Sequence, residues 1–165
     1  MDGDRRHGNG RLIPAGPLRE PAGRRVDFTV CNGGTPGPGE VPMRLALGEA
    51  VALDDGRRRP LADFAGSPVQ ALAGIGHPAR FFDALRAAGL APVGHAFPDH
   101  HAFDAATLAA IPAPRLMTEK DAVKCATFAN GWFYSVPVAA KLPEAFWIAL
   151  LERLAEATAA RAGKA

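Results

Sequence analysis

The sequence predicts an α/β fold, in which a small, mostly parallel sheet is covered by helices in a three-layer α/β/α-like arrangement. From Pro68 onward, short apolar runs alternate with amphipathic segments, which is the rhythm of βαβ units. Before Pro68, the runs PAGPLREP and GGTPGPG interrupt any regular pattern. With 165 residues, 48% of them hydrophobic, the chain has room for one buried core and an arm.

The first 66 residues are predicted to be an irregular arm followed by short antiparallel linker strands. Val26–Cys31 and Val41–Leu47 both show the alternation of a half-buried strand. Val51–Leu53 runs into the turn residues Asp54-Asp55-Gly56 and is placed to end a hairpin. This part of the chain is therefore expected to contribute short strands and loops.

The rest of the chain is predicted to alternate strands with helices. Asp104 has the position of a helix N-cap, and Gly89 that of a helix stop. The chain after Thr158 is expected to fray. The predicted strands are Val69–Ile75, Pro92–Phe97, Arg115–Thr118 and Trp132–Val138, and the predicted helices are His77–Ala88, Asp104–Ile111, Glu119–Phe128 and a last helix that opens at Pro143.

Composition excludes several classes of protein. The 19 Lys+Arg against 17 Asp+Glu leave a formal net charge of +2, which favours neither disorder nor a nucleic-acid partner. Cys31 and Cys125 lie far apart, so neither a disulfide scaffold nor a zinc ribbon is indicated, and a reduced, cytoplasmic setting is expected. No apolar run approaches the ~18 residues that cross a bilayer, so any membrane contact is expected to be peripheral.

Polar clusters follow three of the predicted strands. Ligands of open parallel sheets meet the carboxyl ends of the strands, so these clusters are candidate sites. An Asp beside two His can orient an imidazole as a general base or bind a divalent metal, although a capped turn with exposed imidazoles is the alternative. The clusters are Gly74-Ile75-Gly76-His77-Pro78, Phe97-Pro98-Asp99-His100-His101 and Thr118-Glu119-Lys120-Asp121.

Two of these clusters also have purely structural explanations. The glycines after Val69–Ile75 could bring backbone amides to an anion or simply allow a tight turn. Thr118 is a credible N-cap, and Asp121 has the carboxylate position of a capping box. For both clusters, the functional and the structural explanation stay open at this point.

Arginines and glycines near the N-terminus form a fourth candidate. Arg5, Arg6 and Arg11 lie among glycines, which suits a phosphate, and a solvated basic arm is the alternative. The segment Gly33–Gly39 is glycine-rich, but no Lys-Ser/Thr follows it and its prolines remove amide donors. The sequence therefore contains no P-loop.

Four motifs in a fixed order resemble the tetraacyldisaccharide 4'-kinase family, the lipid A 4'-kinases of Gram-negative bacteria. They are DGDRRHGNGRLIPAGPLREP, AGIGHPARFF, FPDHHAF and MTEKDAVKC, and the similarity runs from Asp2 to about Leu154. The resemblance implies phosphorylation of the 4' hydroxyl of a tetraacyldisaccharide 1-phosphate with ATP and Mg²⁺, at the cytoplasmic face of the inner membrane. It also implies a P-loop kinase domain and a second α/β domain joined by a two-stranded linker.

The resemblance assigns site residues as well. Asp99 and His100 match the family's Asp-His motif, where the His is expected to assist catalysis near the acceptor hydroxyl. No metal ligand and no cofactor-binding residue is expected in this sequence. The candidates for binding substrate or phosphate are Arg19, Glu20, His101, Glu119 and Lys120.

Members of the family carry a Walker A loop, an acidic metal-binding motif and a membrane-associating helix ahead of the first motif, and this sequence has none of them. The expectation is a C-terminal half, with a remnant of the nucleotide domain and linker at 1–66, an α/β domain at 67–160 and a frayed tail at 161–165. Alone, it is expected to be inactive and to bind neither ATP nor Mg²⁺ tightly. The expected partners are the lipid A disaccharide precursor, the inner-membrane surface and a P-loop half.

Two other functions compete with this interpretation. The tripeptide Asp99-His100-His101 also occurs in metal-dependent DHH phosphoesterases, which need further Asp residues at several strand ends to build a two-metal site. A non-catalytic module that binds lipid or membrane through the Arg-rich arm is the other alternative.

Overall fold

The computed structural model describes residues 1–162, so residues 163–165 of the predicted tail lie outside the described part. The chain forms two compact units. One consists of Met1–Leu45 and the chain from Ala140 onward, and the other of Ala46–Ala139. These units divide the chain at other places than the ranges 1–66 and 67–160, which stay a prediction for the domains of the protein.

Nine strands and four α-helices occur in residues 1–162, with a 3₁₀ helix at Leu61–Phe64. The strands are β1 (Val30–Asn32), β2 (Val41–Leu47), β3 (Ala50–Ala52), β4 (Arg58–Arg59), β5 (Pro68–Ala73), β6 (Ala91–Ala96), β7 (Arg115–Thr118), β8 (Phe133–Val136) and β9 (Val138–Lys141). The helices are α1 (Pro78–Ala87), α2 (Ala105–Ala109), α3 (Glu119–Cys125) and α4 (Glu144–Ala162).

The unit Ala46–Ala139 is built on a six-stranded sheet in the order β4-β3-β8-β7-β5-β6. β5 pairs in parallel with both β6 and β7, and β7 pairs in parallel with β8. β3 is antiparallel to both β4 and β8. The sheet is therefore mostly parallel, as the alternation of strands and helices predicts.

Helices cover both faces of this sheet and give it two cores. Along β5 the side chains alternate, so that Ala71 faces one core and Leu72 the other. α1 contributes Phe81, Phe82 and Leu85 to the first core. The second core contains residues of α2 and α3, among them Leu108, Ala122 and Cys125.

The direction in which successive strands are added to the sheet reverses at β5. The chain passes from β5 through α1 to β6 on one side, and then through α2 to β7 on the other side of β5. In open α/β sheets a crevice forms at such a reversal, outside the carboxyl ends of the strands. The loops that follow β5, β6 and β7 are therefore in the position where a ligand would bind.

The other unit contains β1 and parts of β2 and β9, and these three strands form a sheet in the order β1-β2-β9. The expectation that the linker strands are all antiparallel is wrong for β1 and β2, which pair in parallel with Val30 opposite Val41. The chain returns to the start of β1 through the loop of residues 33–40, in which Gly33, Gly34 and Gly39 have positive φ. β2 and β9 are neighbours, and each crosses from one unit into the other along the chain.

Few side chains are buried in this unit. Residues 1–29 contain turns and an isolated bridge between Leu12 and Leu18, as expected of an irregular arm, and Asp2 forms a second isolated bridge with Asn32. Phe28 packs edge-on against Phe146 of α4, with 5.4 Å between ring centroids, and Asp27 accepts a hydrogen bond from Arg153 at 2.6 Å. No helix within residues 1–162 combines the length and the apolar composition needed to cross a membrane.

Candidate functional site

Three loops meet at the carboxyl ends of β5, β6 and β7, as the sequence predicts. We call this place the carboxyl-edge site and define it by Gly74–His77, Pro98–His101 and Thr118–Asp121. All of these residues lie within the unit Ala46–Ala139. Their neighbourhood follows from the parallel pairing of β5 with β6 and β7, which brings the three strand ends to one edge of the sheet.

Asp99 is the centre of a polar cluster at this edge. Lys120 Nζ donates to Asp99 Oδ1 at 2.7 Å, and the backbone N–H of His100 donates to the same oxygen at 3.0 Å. The hydrogen bond from Lys120 is the main reason that the pKa of Asp99 lies below its ordinary value. Asp99 therefore stays ionised near neutral pH and holds the start of α3 against the loop after β6.

His100 presents its ring to solvent beside this carboxylate. Its side chain is 78% exposed, and Nε2 lies 3.8 Å from Asp99 Oδ2. Its backbone has φ +62°, a conformation that non-glycine residues adopt infrequently and that recurs at functional sites. An exposed imidazole next to an ionised carboxylate can accept a proton from a hydroxyl group that approaches it.

His101 faces the opposite way. Its ring stacks on Phe97 and meets the edge of Phe103, with centroid separations of 4.8 and 4.9 Å. Its Nε2 is buried without a hydrogen-bond partner. His101 stays a predicted substrate- or phosphate-binding residue, and its ring nitrogen Nε2 does not point to solvent.

Asp121 has a contact that the sequence did not reveal. Thr118 caps α3, because its hydroxyl oxygen accepts from the backbone N–H of Asp121, as predicted. The Asp121 carboxylate, however, does not complete a capping box: Oδ2 accepts from the backbone N–H of Gly74 at 2.9 Å and from the Thr118 hydroxyl at 2.7 Å. This Gly74 amide is thus already occupied and is not free for an anion.

Three candidates remain, namely Glu119, Arg19 and Glu20. Glu119 is exposed at the first position of α3. Arg19 and Glu20 belong to the other unit, where Glu20 pairs with Arg24 and lines a cavity of about 410 Å³ together with His7. The structure thus places Asp99, His100, His101, Glu119 and Lys120 within one unit, and Arg19 and Glu20 within the other.

The Arg-rich arm is less available than the sequence suggested. Arg6 donates from both terminal nitrogens to the carboxylate of Glu40, at 2.8 and 2.7 Å. This bidentate pair uses the forked donors that a phosphate would need. Arg5 and Arg11 remain exposed.

Sequence reasoning missed a cavity in the unit Ala46–Ala139. It measures about 380 Å³, and its lining includes the run Arg57-Arg58-Arg59 together with Trp132 and Tyr134. The guanidinium of Arg59 lies 4.5 Å from the ring centroid of Phe64 and donates to the Tyr134 hydroxyl at 3.3 Å. The three consecutive arginines were the available signal.

Comparison with known proteins decides the family. The sequence pattern of the family described as Tetraacyldisaccharide-1-P 4'-kinase matches residues 1–155. The chain belongs to the tetraacyldisaccharide 4'-kinase family. The proteins named tetraacyldisaccharide 4'-kinase from Xanthomonas campestris pv. campestris (strain 8004) and Stenotrophomonas maltophilia (strain R551-3) are each 52% identical to it. Each alignment covers 93% of this chain, and 50% and 49% of those two proteins.

A solved structure supports the fold of a tetraacyldisaccharide 4'-kinase. It is LpxK from Aquifex aeolicus, described as an "apo" form in complex with ATP, with a TM-score of 0.58 and 23% identity. The likeness covers 88% of this chain and 48% of that protein. The chain thus spans about half the length of the curated relatives it matches, and neither the phosphoesterase nor the non-catalytic alternative gains support from these relatives.

Proposed function

We propose that this chain supplies the acceptor side of a tetraacyldisaccharide 4'-kinase, which transfers phosphate from ATP to the 4' hydroxyl of a tetraacyldisaccharide 1-phosphate in lipid A biosynthesis. The observation that carries the proposal is the match of the family pattern to residues 1–155, together with 52% identity to proteins that bear this name. The exposed His100 and its ionised neighbour Asp99 give the proposal a chemical site.

In phosphoryl transfer the protein mainly positions groups and neutralises charge. His100 is proposed to accept the proton of the attacking hydroxyl. Asp99, whose carboxylate also accepts a hydrogen bond from Lys120, would orient the imidazole. At the carboxyl-edge site, Glu119 is proposed to contact the disaccharide phosphate and His101 to shape the wall of the site. In the other unit, Arg19 and Glu20 are proposed to bind substrate or phosphate.

Among residues 1–162 no three His, Cys, Asp or Glu side chains come together as ligands, and the sequence has no GxxxxGK[ST] motif. We propose that ATP and Mg²⁺, which neutralises phosphate charge in kinases, bind to a P-loop half that would act together with this chain.

α4 has a face that a P-loop half would cover. Trp147, Ile148, Leu151 and Leu154 are about half exposed or more, and no residue of α4 is buried. Their spacing along the helix places them on one apolar stripe. The relatives are about twice as long as this chain. Each of them therefore has a further segment about as long as this chain, and such a segment would pack on the apolar stripe of α4. Because the acceptor is a lipid, the complex is proposed to act at the cytoplasmic face of the inner membrane as a peripheral protein.

A reconstitution tests this function. The chain is co-expressed with the part of the Xanthomonas campestris relative that it does not match, and transfer of ³²P from ATP to tetraacyldisaccharide 1-phosphate is measured. The complex should be active and the chain alone inactive. Turnover by the chain alone, or an inactive complex that nevertheless assembles, would contradict the proposal.

Substitutions then test the site. His100→Ala should lower kcat of the complex by about 10²-fold, the usual contribution of a general base, and Asp99→Asn should lower it less. Asp83→Asn is the matched control, because Asp83 is also an exposed carboxylate in an ion pair, with Arg86 on α1. Equal activities of His100→Ala and the unsubstituted complex would remove His100 from the mechanism.

A further inference from the structure

Asp121 is a buried charged group that the proposed chemistry does not use. Its side chain has 0% exposure. Burying a carboxylate is costly unless its oxygens are hydrogen-bonded. Here the donors are the Gly74 N–H and the Thr118 hydroxyl on Oδ2, and Lys124 Nζ on Oδ1 at 3.0 Å. The Asp121 carboxylate does not complete a capping box, so helix capping does not explain its burial.

Gly74 connects Asp121 to the loop after β6. It is the first residue after β5, and a Cβ placed on it would lie 3.0 Å from Asp121 Oδ1, 3.3 Å from the Pro98 carbonyl oxygen and 3.5 Å from His101 Cβ. The backbone at Gly74 is therefore packed between the buried carboxylate and the loop Pro98–His101. A displacement of the Gly74 backbone would therefore shift the loop Pro98–His101.

The loop is held from a second direction by the residue next to Asp121. Lys120 lies beside Asp121 in α3 and pairs with Asp99. The first turn of α3 thus fixes the loop twice, at its surface through Lys120 and at its base through Asp121 and Gly74. Both contacts bear on the segment that carries Asp99 and His100.

We propose that Asp121 is a positioning residue: by holding the Gly74 backbone N–H, it fixes the strand end against which the loop Pro98–His101 packs, and so sets the geometry of Asp99 and His100. The catalytic role of His100 rests on the proposed function. The positions of Asp99 and His100 do not depend on that function, and they can be measured without phosphoryl transfer.

Two substitutions test the contact between Asp121 and Gly74, one at each of the two residues. Asp121→Asn keeps the shape but removes the charge that Gly74, Thr118 and Lys124 share. Gly74→Ala keeps the carboxylate and pushes on it and on the loop, at distances that require shifts of a few tenths of an ångström. Gly76→Ala is the matched control for the second, because nothing lies within 4 Å of a Cβ at Gly76.

The measurement is the NMR spectrum of the full 165-residue chain. We expect Asp121→Asn to raise the exchange rate of the Gly74 amide by about tenfold, the effect of losing a charge-assisted hydrogen bond. Asp121→Asn and Gly74→Ala should also shift the side-chain resonances of His100 and Asp99, whereas Gly76→Ala should not. Leu85→Ala, in the core on the other side of the sheet, should lower stability without moving these resonances.

Unchanged His100 and Asp99 resonances in both test variants would overturn the proposal and leave Asp121 as a purely structural group. If Asp121→Asn does not fold, Gly74→Ala decides alone, because it retains every polar partner of the carboxylate. In a reconstituted kinase, Asp121→Asn should lower kcat and leave KM for ATP unchanged. A complex that lacks kinase activity would contradict the proposed function but not the spectroscopic result.

Discussion

Glu40 shows how strongly a single pair can control a charge in this chain. The guanidinium of Arg6 and, second, the Gly37 N–H donate to its carboxylate and lower its pKa from 4.5 to about 2. Because the folded pKa lies below the unfolded one, the stabilisation is present above pH 4.5 and is lost as pH falls toward 2. Arg6→Gln should raise the pKa of Glu40, as measured by ¹³C NMR titration. Arg5→Gln, at an exposed neighbour, is the control, and a midpoint that stays near 2 in Arg6→Gln would contradict this account.

Cys125 illustrates the opposite effect, in which burial suppresses a charge. Burial, followed by the nearby Asp121 carboxylate, raises the pKa of its thiol to about 11. At pH 8 about one thiol in a thousand is then ionised, and only the thiolate reacts with alkylating reagents. We expect iodoacetamide to modify Cys125 only when the chain unfolds, as followed by mass spectrometry with and without urea. Rapid labelling of Cys125 in the folded chain would show that α3 opens locally.

Among the secondary-structure elements, the contact of α1 with β6 depends on one glycine. A Cβ at Gly94 would lie 2.9 Å from two ring carbons of Phe82, so the helix packs where β6 has no side chain. Gly94→Ala should lower the free energy of unfolding by about 1–3 kcal/mol through overpacking, measured by urea denaturation. Combining it with Phe82→Leu should give less than the sum of the two single effects. Additive effects would mean that Phe82 does not limit the space at Gly94.

The elements that periodicity defines were predictable, and the exceptions have local causes. Val41–Leu47 and Arg115–Thr118 were predicted with the bounds that β2 and β7 have. The predicted strand Trp132–Val138 is instead split into β8 and β9 at Pro137, because proline has no N–H to continue a ladder. β4 was missed because it consists of two arginines, which carry no hydrophobic pattern.

The candidate site was predictable in its place but not in its detail. Strand order brings three loops to one edge, which the βαβ pattern already implies. The direction in which each side chain points depends on packing that spacing does not encode. Thus the sequence could not show that His101 turns inward between Phe97 and Phe103, or that Asp121 reaches Gly74 across 47 positions of sequence.

Over the whole molecule, burial is distributed very unequally between the two units. Every buried hydrophobic residue of the described chain except Cys31 lies within Ala46–Ala139. A segment without its own core gains little stability from the hydrophobic effect. The arm and α4 should therefore open more readily than the sheet β5-β7, although α4 is a regular helix of 19 residues.

Hydrogen exchange followed by mass spectrometry tests this difference and identifies what covers α4. In the chain alone, amides of β5 and β7, around the fully buried Leu72 and Leu116, should exchange slowest, and those of residues 1–29 and α4 fastest. Co-expression with the unmatched half of a relative should slow exchange in α4 and leave β5 and β7 unchanged, because only the exposed stripe around Leu151 gains a partner. Leu151→Gln should weaken that protection, whereas Val123→Gln, at an 80% exposed residue of α3, should not. Slow exchange of α4 in the chain alone would show that its apolar face is already covered by this chain or by a second copy of it, which sedimentation would distinguish.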